Sequence, residues 1–99
     1  MLKVEKNITG GKAVAALEGR LDTVTAPELE AELKDVIENA TELTLDFEKL
    51  EYISSAGLRV LLATQKVLGK KGGMKLIHVN ETIMEVFEVT GFSDILTVE

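Results

Sequence analysis

The spacing of the hydrophobic residues switches repeatedly between two periods along this chain, and this alternation limits the folds it can adopt. Strand-like segments occur at residues 2–8, 12–18, 43–47 and 75–79. Helical spacing occurs at residues 25–39, 54–68 and 81–90, and a last edge strand is expected at 95–98. The predicted order is therefore strand, strand, helix, strand, helix, strand, helix, strand.

Alternating helices and strands predict parallel pairing through right-handed crossovers. The Thr9-Gly10-Gly11 segment is a turn signal, so the first two strands are expected to form an antiparallel hairpin. We therefore predict an α/β fold, a single-domain mixed β-sheet of four to five strands with about three main helices. The N-terminal hairpin strand is antiparallel and the rest are largely parallel. A length of 99 residues predicts one domain over residues 1–99.

Capping residues and glycines predict where some strands and helices begin and end. Thr25 is the best helix start, because it can cap the helix while Glu28 completes a capping box and Pro27 occupies the first turn. Gly19 is predicted to end the second strand, and Gly91 to stop the last helix.

The composition argues against several classes of function. The chain has no cysteine, which excludes disulfides and thiolate metal sites. Its formal net charge of −6 disfavours binding to nucleic acid and to anionic membrane surfaces. No segment approaches the ~20 apolar residues of a membrane span, and the first residues lack the apolar run of a signal peptide. We therefore expect a cytoplasmic protein with no nucleic-acid or membrane partner.

Two serines, Ser54 and Ser55, stand between a strand-like and a helix-like segment. The first backbone N–H groups of a helix have no partner, so a serine here can cap the helix or accept a phosphate that these groups stabilise. Capping explains one serine, but not Gly57 in the first turn, where glycine is ~1 kcal/mol poorer than alanine. Small residues at Ala56 and Gly57 would let another chain or a kinase approach the backbone. Ser55 is therefore a candidate regulatory phosphorylation site.

Asp22 is a second candidate, in the loop that enters the first predicted helix. It can be a simple exposed carboxylate or a polar contact at the same end of the sheet as Ser55. The second reading follows from the βα topology, which gathers such loops at the carboxyl ends of parallel strands. The predicted partner-binding residues are Asp22, Thr23, Ser54, Ser55, Ala56 and Gly57.

The remaining polar features give little support for catalysis. His78 is the only histidine and is predicted to lie mid-strand on a face of the sheet. No second histidine or cysteine is present to complete a metal site with it. A serine hydrolase would need a base near Ser55 held by a carboxylate, which makes this a weak alternative. We predict no catalytic residue, no metal and no cofactor.

Three stretches carry a resemblance to a known family: residues 19–26 (GRLDTVTA), 45–53 (LDFEKLEYI) and 54–58 (SSAGL). The chain resembles the bacterial STAS-domain anti-sigma-factor antagonists over nearly its whole length. In that family a short Asp-Ser-Ser/Thr-Gly-Leu/Ile motif carries a phosphorylated serine two positions before the glycine. Counting back from Gly57, the resemblance identifies this serine with Ser55, and the family's loop aspartate at the kinase interface with Asp22.

The resemblance implies a regulatory cycle with two protein partners. The unphosphorylated antagonist would bind an anti-sigma factor that is also a serine kinase, and so free a sigma factor. Phosphorylation by this kinase, which binds the ATP, would end the interaction, and a PP2C-type phosphatase would restore it. In this cycle the chain is a substrate and not an enzyme.

The chain departs from the family pattern at one position. The acidic residue that precedes the phosphorylated serine is replaced by Ser54, which makes Ser54 a second candidate acceptor. Some STAS proteins also act outside sigma control. The alternative function is therefore a scaffold or signalling subunit, in a stress complex or lipid-transport machinery, with a constitutive interface.

Overall fold

The computed structural model describes residues 2–99, and Met1, the first residue of the predicted domain, lies outside this range. The strands are β1 (Leu2–Thr9), β2 (Lys12–Leu21), β3 (Glu42–Ile53), β4 (Gly73–Ile77) and β5 (Thr97–Val98). The helices are α1 (Ala26–Asn39), α2 (Ser55–Leu68) and α3 (Glu81–Thr90), and a 3-10 turn, η1 (Phe92–Asp94), precedes β5.

The strands form one mixed sheet in the order β1-β2-β3-β4-β5. β1 pairs with β2 antiparallel, and the other neighbouring strands pair parallel. The hairpin turn uses Gly10 and Gly11 at φ of 58° and 83°, a left-handed conformation that glycine adopts without steric cost. The predicted fold class, a mixed α/β sheet with three main helices, is confirmed.

The helices cover one face of the sheet. On β3, Leu43, Leu45 and Phe47 are buried, whereas the intervening Thr44 and Asp46 are only half-buried. Because β2 to β5 follow one another in a single direction across the sheet, right-handed crossovers place α1, α2 and α3 on the same side. The opposite face is left open to solvent.

The core is mainly aliphatic and ties α3 to the sheet. Phe47 of β3 and Phe87 of α3 are fully buried, with ring centroids 6.5 Å apart and ring planes tilted by 52°. Asn80 caps α3, since its Oδ1 accepts from the Ile83 N–H at 2.8 Å. No helix formed by residues 2–99 has the length and hydrophobicity needed to cross a membrane.

Several predicted strand limits are wrong. The strand predicted at 43–47 continues to Ile53, and the one predicted at 95–98 is limited to Thr97–Val98. β2 does not end at Gly19 but continues to Leu21, because Gly19, at φ 107°, lies at an irregularity where the register with β3 shifts. β4 ends at Ile77, so His78 follows the strand, at φ 58°, instead of lying in its middle. The longer β2 matters for the site, because it brings Leu21 beside Ile53 at the end of β3.

Candidate functional site

The β2–α1 loop and the start of α2 lie side by side. Leu21 and Ile53 are partners in the parallel register of β2 and β3. The Ser54 N–H donates to the Leu21 carbonyl at 2.9 Å, so the two chain segments are joined one residue beyond the strands. Asp22 and Ser55 therefore leave the same edge of the sheet from neighbouring strands, as the βα topology predicts.

Ser54, and not Ser55, caps α2. Ser54 has the extended backbone of an N-cap residue, at φ −104° and ψ 175°, and its Oγ accepts from the Gly57 N–H at 3.4 Å. Ser54 is half-buried, whereas Ser55 is the first residue of the helix and is exposed. The Ser55 hydroxyl is therefore not needed for capping and is accessible from solvent.

Gly57 allows the first turn of α2 to pack closely against the ends of β2 and β3. It is buried, and a Cβ at this position would lie 2.6 Å from the Leu21 Cγ and 3.0 Å from the Ile53 Cγ1. The first turn of α2 can sit on the ends of β2 and β3 only because residue 57 has no side chain. The prediction that Gly57 opens the backbone to a partner is thus wrong about its surroundings: its free side faces the core. Ala56 beside it is partly buried against the same core.

The Asp22 carboxylate closes the β2–α1 loop on itself. Its Oδ1 accepts from the backbone N–H groups of Val24 and Thr25, each at 3.0 Å. The bond from the Thr25 N–H is the main cause that lowers the pKa of Asp22 below its ordinary value, and the Thr25 hydroxyl and the Val24 N–H act in the same direction. Asp22 is therefore ionised near neutral pH and holds a fixed negative charge close to the start of α2.

The predicted capping box between Thr25 and Glu28 does not form. Thr25 has helical dihedral angles, φ −89° and ψ −17°, and its side chain makes no cap bond. Its hydroxyl instead donates to the Arg20 carbonyl at 2.8 Å and accepts from the Asp22 N–H at 2.8 Å. Buried Thr25 thus ties the start of α1 to the end of β2, while Asp22 satisfies the free N–H groups ahead of the helix.

Three exposed side chains near these loops were not singled out from the sequence. Val24 has an exposed fraction of 76%, and Thr23 before it, already a predicted partner-binding residue, is exposed as well. Arg20 and Tyr52 are cross-strand partners, and the guanidinium carbon lies 4.3 Å from the centroid of the Tyr52 ring. The sequence could have indicated Val24, because it is an apolar residue inside a polar loop. The Arg20–Tyr52 contact could not be predicted in this way, because it depends on the register between β2 and β3.

His78 has a partner that lies far from it in the sequence. Its Nδ1 is 2.9 Å from the Asp46 Oδ1, and this hydrogen bond raises the pKa of His78. Partial burial raises the pKa of Asp46, but the bonds from the Glu48 N–H and from His78 outweigh it and leave that pKa below its ordinary value. Potential metal-ligand atoms of Asp46, Glu48 and His78 lie within 4.8 Å of one another. Two carboxylates, and not a second histidine or cysteine, therefore stand beside His78 in this cluster. The direct His78–Asp46 bond competes with cation binding there.

The structure does not bring His78 to Ser55. Asp46 lies opposite Ile77 in the register of β3 and β4, whereas Ser55 follows the far end of β3. At ~3.3 Å per residue, the distance along β3 from Asp46 to Ile53 is on the order of 20 Å. The His78–Asp46 pair is therefore a separate feature and does not complete a hydrolase-type arrangement with Ser55.

Comparison with known proteins identifies the family. A family model described as "Mlab, STAS domain" matches residues 4–97. The chain belongs to the STAS domain family. This STAS chain is 36% identical to BtrV of Bordetella bronchiseptica over 99 residues, which cover 98% of the chain and 85% of BtrV. It is 31% identical to the anti-sigma-B factor antagonist of Bacillus subtilis over 83 residues, with coverage of 83% and 76%.

A solved structure agrees with this assignment. The crystal structure of an anti-sigma factor antagonist from Mycobacterium paratuberculosis has a TM-score of 0.89 and 26% identity, over 99% of this chain and 85% of the other. The resemblance to the STAS-domain anti-sigma-factor antagonists that the motifs predicted is therefore confirmed.

Proposed function

We propose that this chain is an anti-sigma-factor antagonist whose binding is switched off by phosphorylation of Ser55. In its unphosphorylated form it binds an anti-sigma factor with serine kinase activity and so frees a sigma factor. The main support is the position of Ser55, exposed at the first turn of α2 next to the Asp22 loop. Relatives that are named as anti-sigma factor antagonists give independent support.

Ser55 is favoured over Ser54 as the acceptor because the two hydroxyls differ in their surroundings. The Ser54 Oγ accepts the cap bond from Gly57 and is half-buried, so a kinase would have to open the cap to reach it. The Ser55 side chain is exposed and has no capping task. A phosphate at Ser55 would lie where backbone N–H groups and the helix dipole favour an anion.

The proposed switch is electrostatic. A phosphate adds about −1.5 to −2 charges at neutral pH. Asp22, on the adjoining loop, is already ionised, so the phosphate would add to an existing negative charge. A partner surface that packs closely against a neutral hydroxyl would then meet repulsion and a desolvation cost. A PP2C-type phosphatase that removes the phosphate would restore the binding surface.

The proposed binding surface combines the two loops. It consists of Asp22, Thr23, Ser54, Ser55 and Ala56, with Gly57 acting from below by holding α2 against Leu21 and Ile53. Val24, the most exposed apolar side chain of the β2–α1 loop, extends this surface. The chain has no proposed catalytic step of its own, because the kinase holds the ATP. We further propose that residues 1–99 act as one STAS-like domain in the cytoplasm.

A constitutive STAS interface is the second candidate, since Ser54 and Asp22 both have structural tasks that need no modification. Binding of the purified anti-sigma kinase of the native host to wild type, Ser55→Ala and Ser55→Asp, measured by calorimetry with ATP or ADP, separates the two. Ser55→Ala should bind and resist phosphorylation, and Ser55→Asp should bind more weakly. Ser93→Asp, which adds the same charge elsewhere, is the control. Equal binding by all variants would favour the constitutive interface.

A further inference from the structure

The negative charge of this chain is concentrated at its C-terminal end. The formal net charge is −6, and residues 79–99 contain five acidic residues and no lysine or arginine. These residues are Glu81, Glu85, Glu88, Asp94 and Glu99. The remaining 78 residues are therefore almost neutral, and most of the net charge lies in α3 and the segment after it, where Glu99 is paired with Lys75.

The exposed side of α3 combines these carboxylates with apolar side chains. Glu81, Glu85 and Glu88 recur at helical spacing and form one row. Val86 and Val89 lie in the adjoining row, and Val89, with an exposed fraction of 87%, is the most exposed large hydrophobic residue of the described chain. A shallow groove of about 280 Å³ runs along this side, lined by Thr82, Glu85, Val86, Val89 and Thr90. These five residues and Glu88 are called the α3 face below.

The carboxylates of α3 lack the local neutralisation found elsewhere. Within residues 2–99, no lysine or arginine nitrogen lies within 4.0 Å of Glu81, Glu85 or Glu88. Some acidic residues on the sheet and on α1, such as Glu42 and Glu32, are paired with lysines. The α3 face therefore combines unpaired negative charge with an apolar groove that is open to solvent in the isolated chain.

We propose that the α3 face docks a basic amphipathic helix of a second protein. Such a helix would place aliphatic side chains against Val86 and Val89, and lysine or arginine side chains beside Glu85 and Glu88. Apolar anchors in a groove supply most of the affinity in this mode of recognition, and opposite charges at the rim supply orientation and association rate. The face shares no residue with the proposed Ser55 surface.

A second copy of this chain is the competing occupant, since the end of α2 and the turn after it carry Lys66, Lys70 and the exposed Val67. A contact between the α3 face and this different patch would be heterologous, and a heterologous contact that does not close into a ring extends into an open chain. Each copy also carries a net charge of −6, which opposes association. A separate basic partner would not assemble into an open chain, and its positive charge would attract the negatively charged α3 face.

The test uses a synthetic helical peptide of leucine and lysine as the probe, with leucines in one stripe, and a scrambled peptide of the same composition. Fluorescence anisotropy measures binding to the wild type, Val89→Asp and the double variant Glu85→Lys/Glu88→Lys. The double variant Glu30→Lys/Glu38→Lys on α1 makes the same change in net charge on another helix. All changed side chains are exposed, and thermal unfolding verifies that each variant folds.

We expect the striped peptide to bind, and each α3 variant to raise its Kd about tenfold or more, while the α1 variant stays close to wild type. Equal binding of the scrambled peptide, or equal loss in the α1 variant, would overturn the proposal because charge alone would then explain binding. Concentration-dependent sedimentation that both Val89→Asp and Lys66→Glu abolish would assign the groove to a second copy and overturn it too. Ser55→Asp should leave peptide binding unchanged, which separates this proposal from the phosphorylation switch.

Discussion

Gly57 packs directly against Leu21, so closely that a Cβ at residue 57 would come within 2.6 Å of the Leu21 Cγ. This contact fixes the first turn of α2 against the end of β2. The exposed Ser55 and the Asp22 loop owe their relative position to it and to the Ser54–Leu21 backbone bond. A buried glycine therefore determines the shape of the candidate surface.

Gly57→Ala should destabilise the protein. In an exposed helix this substitution would stabilise by ~1 kcal/mol, whereas overpacking against Leu21 and Ile53 costs about 1–3 kcal/mol. We expect a net loss in the free energy of unfolding measured with urea. Ser55→Ala, at an exposed position in the same turn, is the control and should change stability by less than ~0.5 kcal/mol. A stabilised Gly57→Ala protein would contradict the packing described here.

The two serines should differ in their effect on stability. Ser54→Ala removes the side chain that caps α2, a loss worth ~1 kcal/mol in typical helices. The 3.4 Å distance from the Gly57 nitrogen to the Ser54 Oγ suggests the lower part of the usual range. Chemical denaturation of both single variants tests this. A larger loss for Ser55→Ala than for Ser54→Ala would show that the capping residue has been misidentified.

Because of Asp22, the stability of the folded chain should depend on pH in the acidic range. Its pKa in the folded chain is lowered from the ordinary value of 3.8, chiefly by the Thr25 N–H. A lowered pKa means that its contribution is present above that ordinary value and is lost as the pH falls through the folded pKa. The Tm of wild type should therefore fall more steeply below about pH 4 than the Tm of Asp22→Asn. Parallel curves for the two proteins would contradict the bonding seen for Asp22.

The His78–Asp46 pair predicts the opposite dependence near neutral pH. The hydrogen bond to Asp46 raises the pKa of His78 above 6.5, so its contribution is complete below that value and is lost as the pH rises through the folded pKa. Nuclear magnetic resonance titration of the His78 ring protons should give a pKa above 6.5 in wild type. The same titration in Asp46→Asn should give a lower one. An unchanged pKa would mean that the 2.9 Å contact does not persist in solution.

Features set by neighbouring residues in the chain were largely predictable from the sequence. The alternation at residues 43–47, the glycine turn after Thr9 and the helical spacing of residues 81–90 all depend on local geometry, and each occurs near its predicted position. These local patterns were sufficient for the order of strands and helices. Through the topology, they also brought Asp22 and Ser55 to one edge of the sheet.

Features that depend on distant residues were not predictable in the same way. The irregularity at Gly19 depends on the register with β3, and the burial of Gly57 depends on Leu21. His78 and Asp46 are 32 residues apart, so no local pattern indicates their bond. The capping box at Thr25 failed because the Asp22 carboxylate, three residues earlier, accepts from the Thr25 N–H that Glu28 was expected to bind. The Thr25 hydroxyl bonds the Arg20 carbonyl and the Asp22 N–H instead.

We propose that a kinase partner modifies Ser55 and is thereby released. The most direct measurement is phosphosite mapping by mass spectrometry, after incubation with ATP and the anti-sigma kinase of the native host, combined with binding of the modified protein to that kinase. We predict one phosphate, located on Ser55, and weaker binding of the phosphorylated chain than of the unmodified chain. A phosphate confined to another residue, or unchanged binding by chain phosphorylated at Ser55, would contradict it.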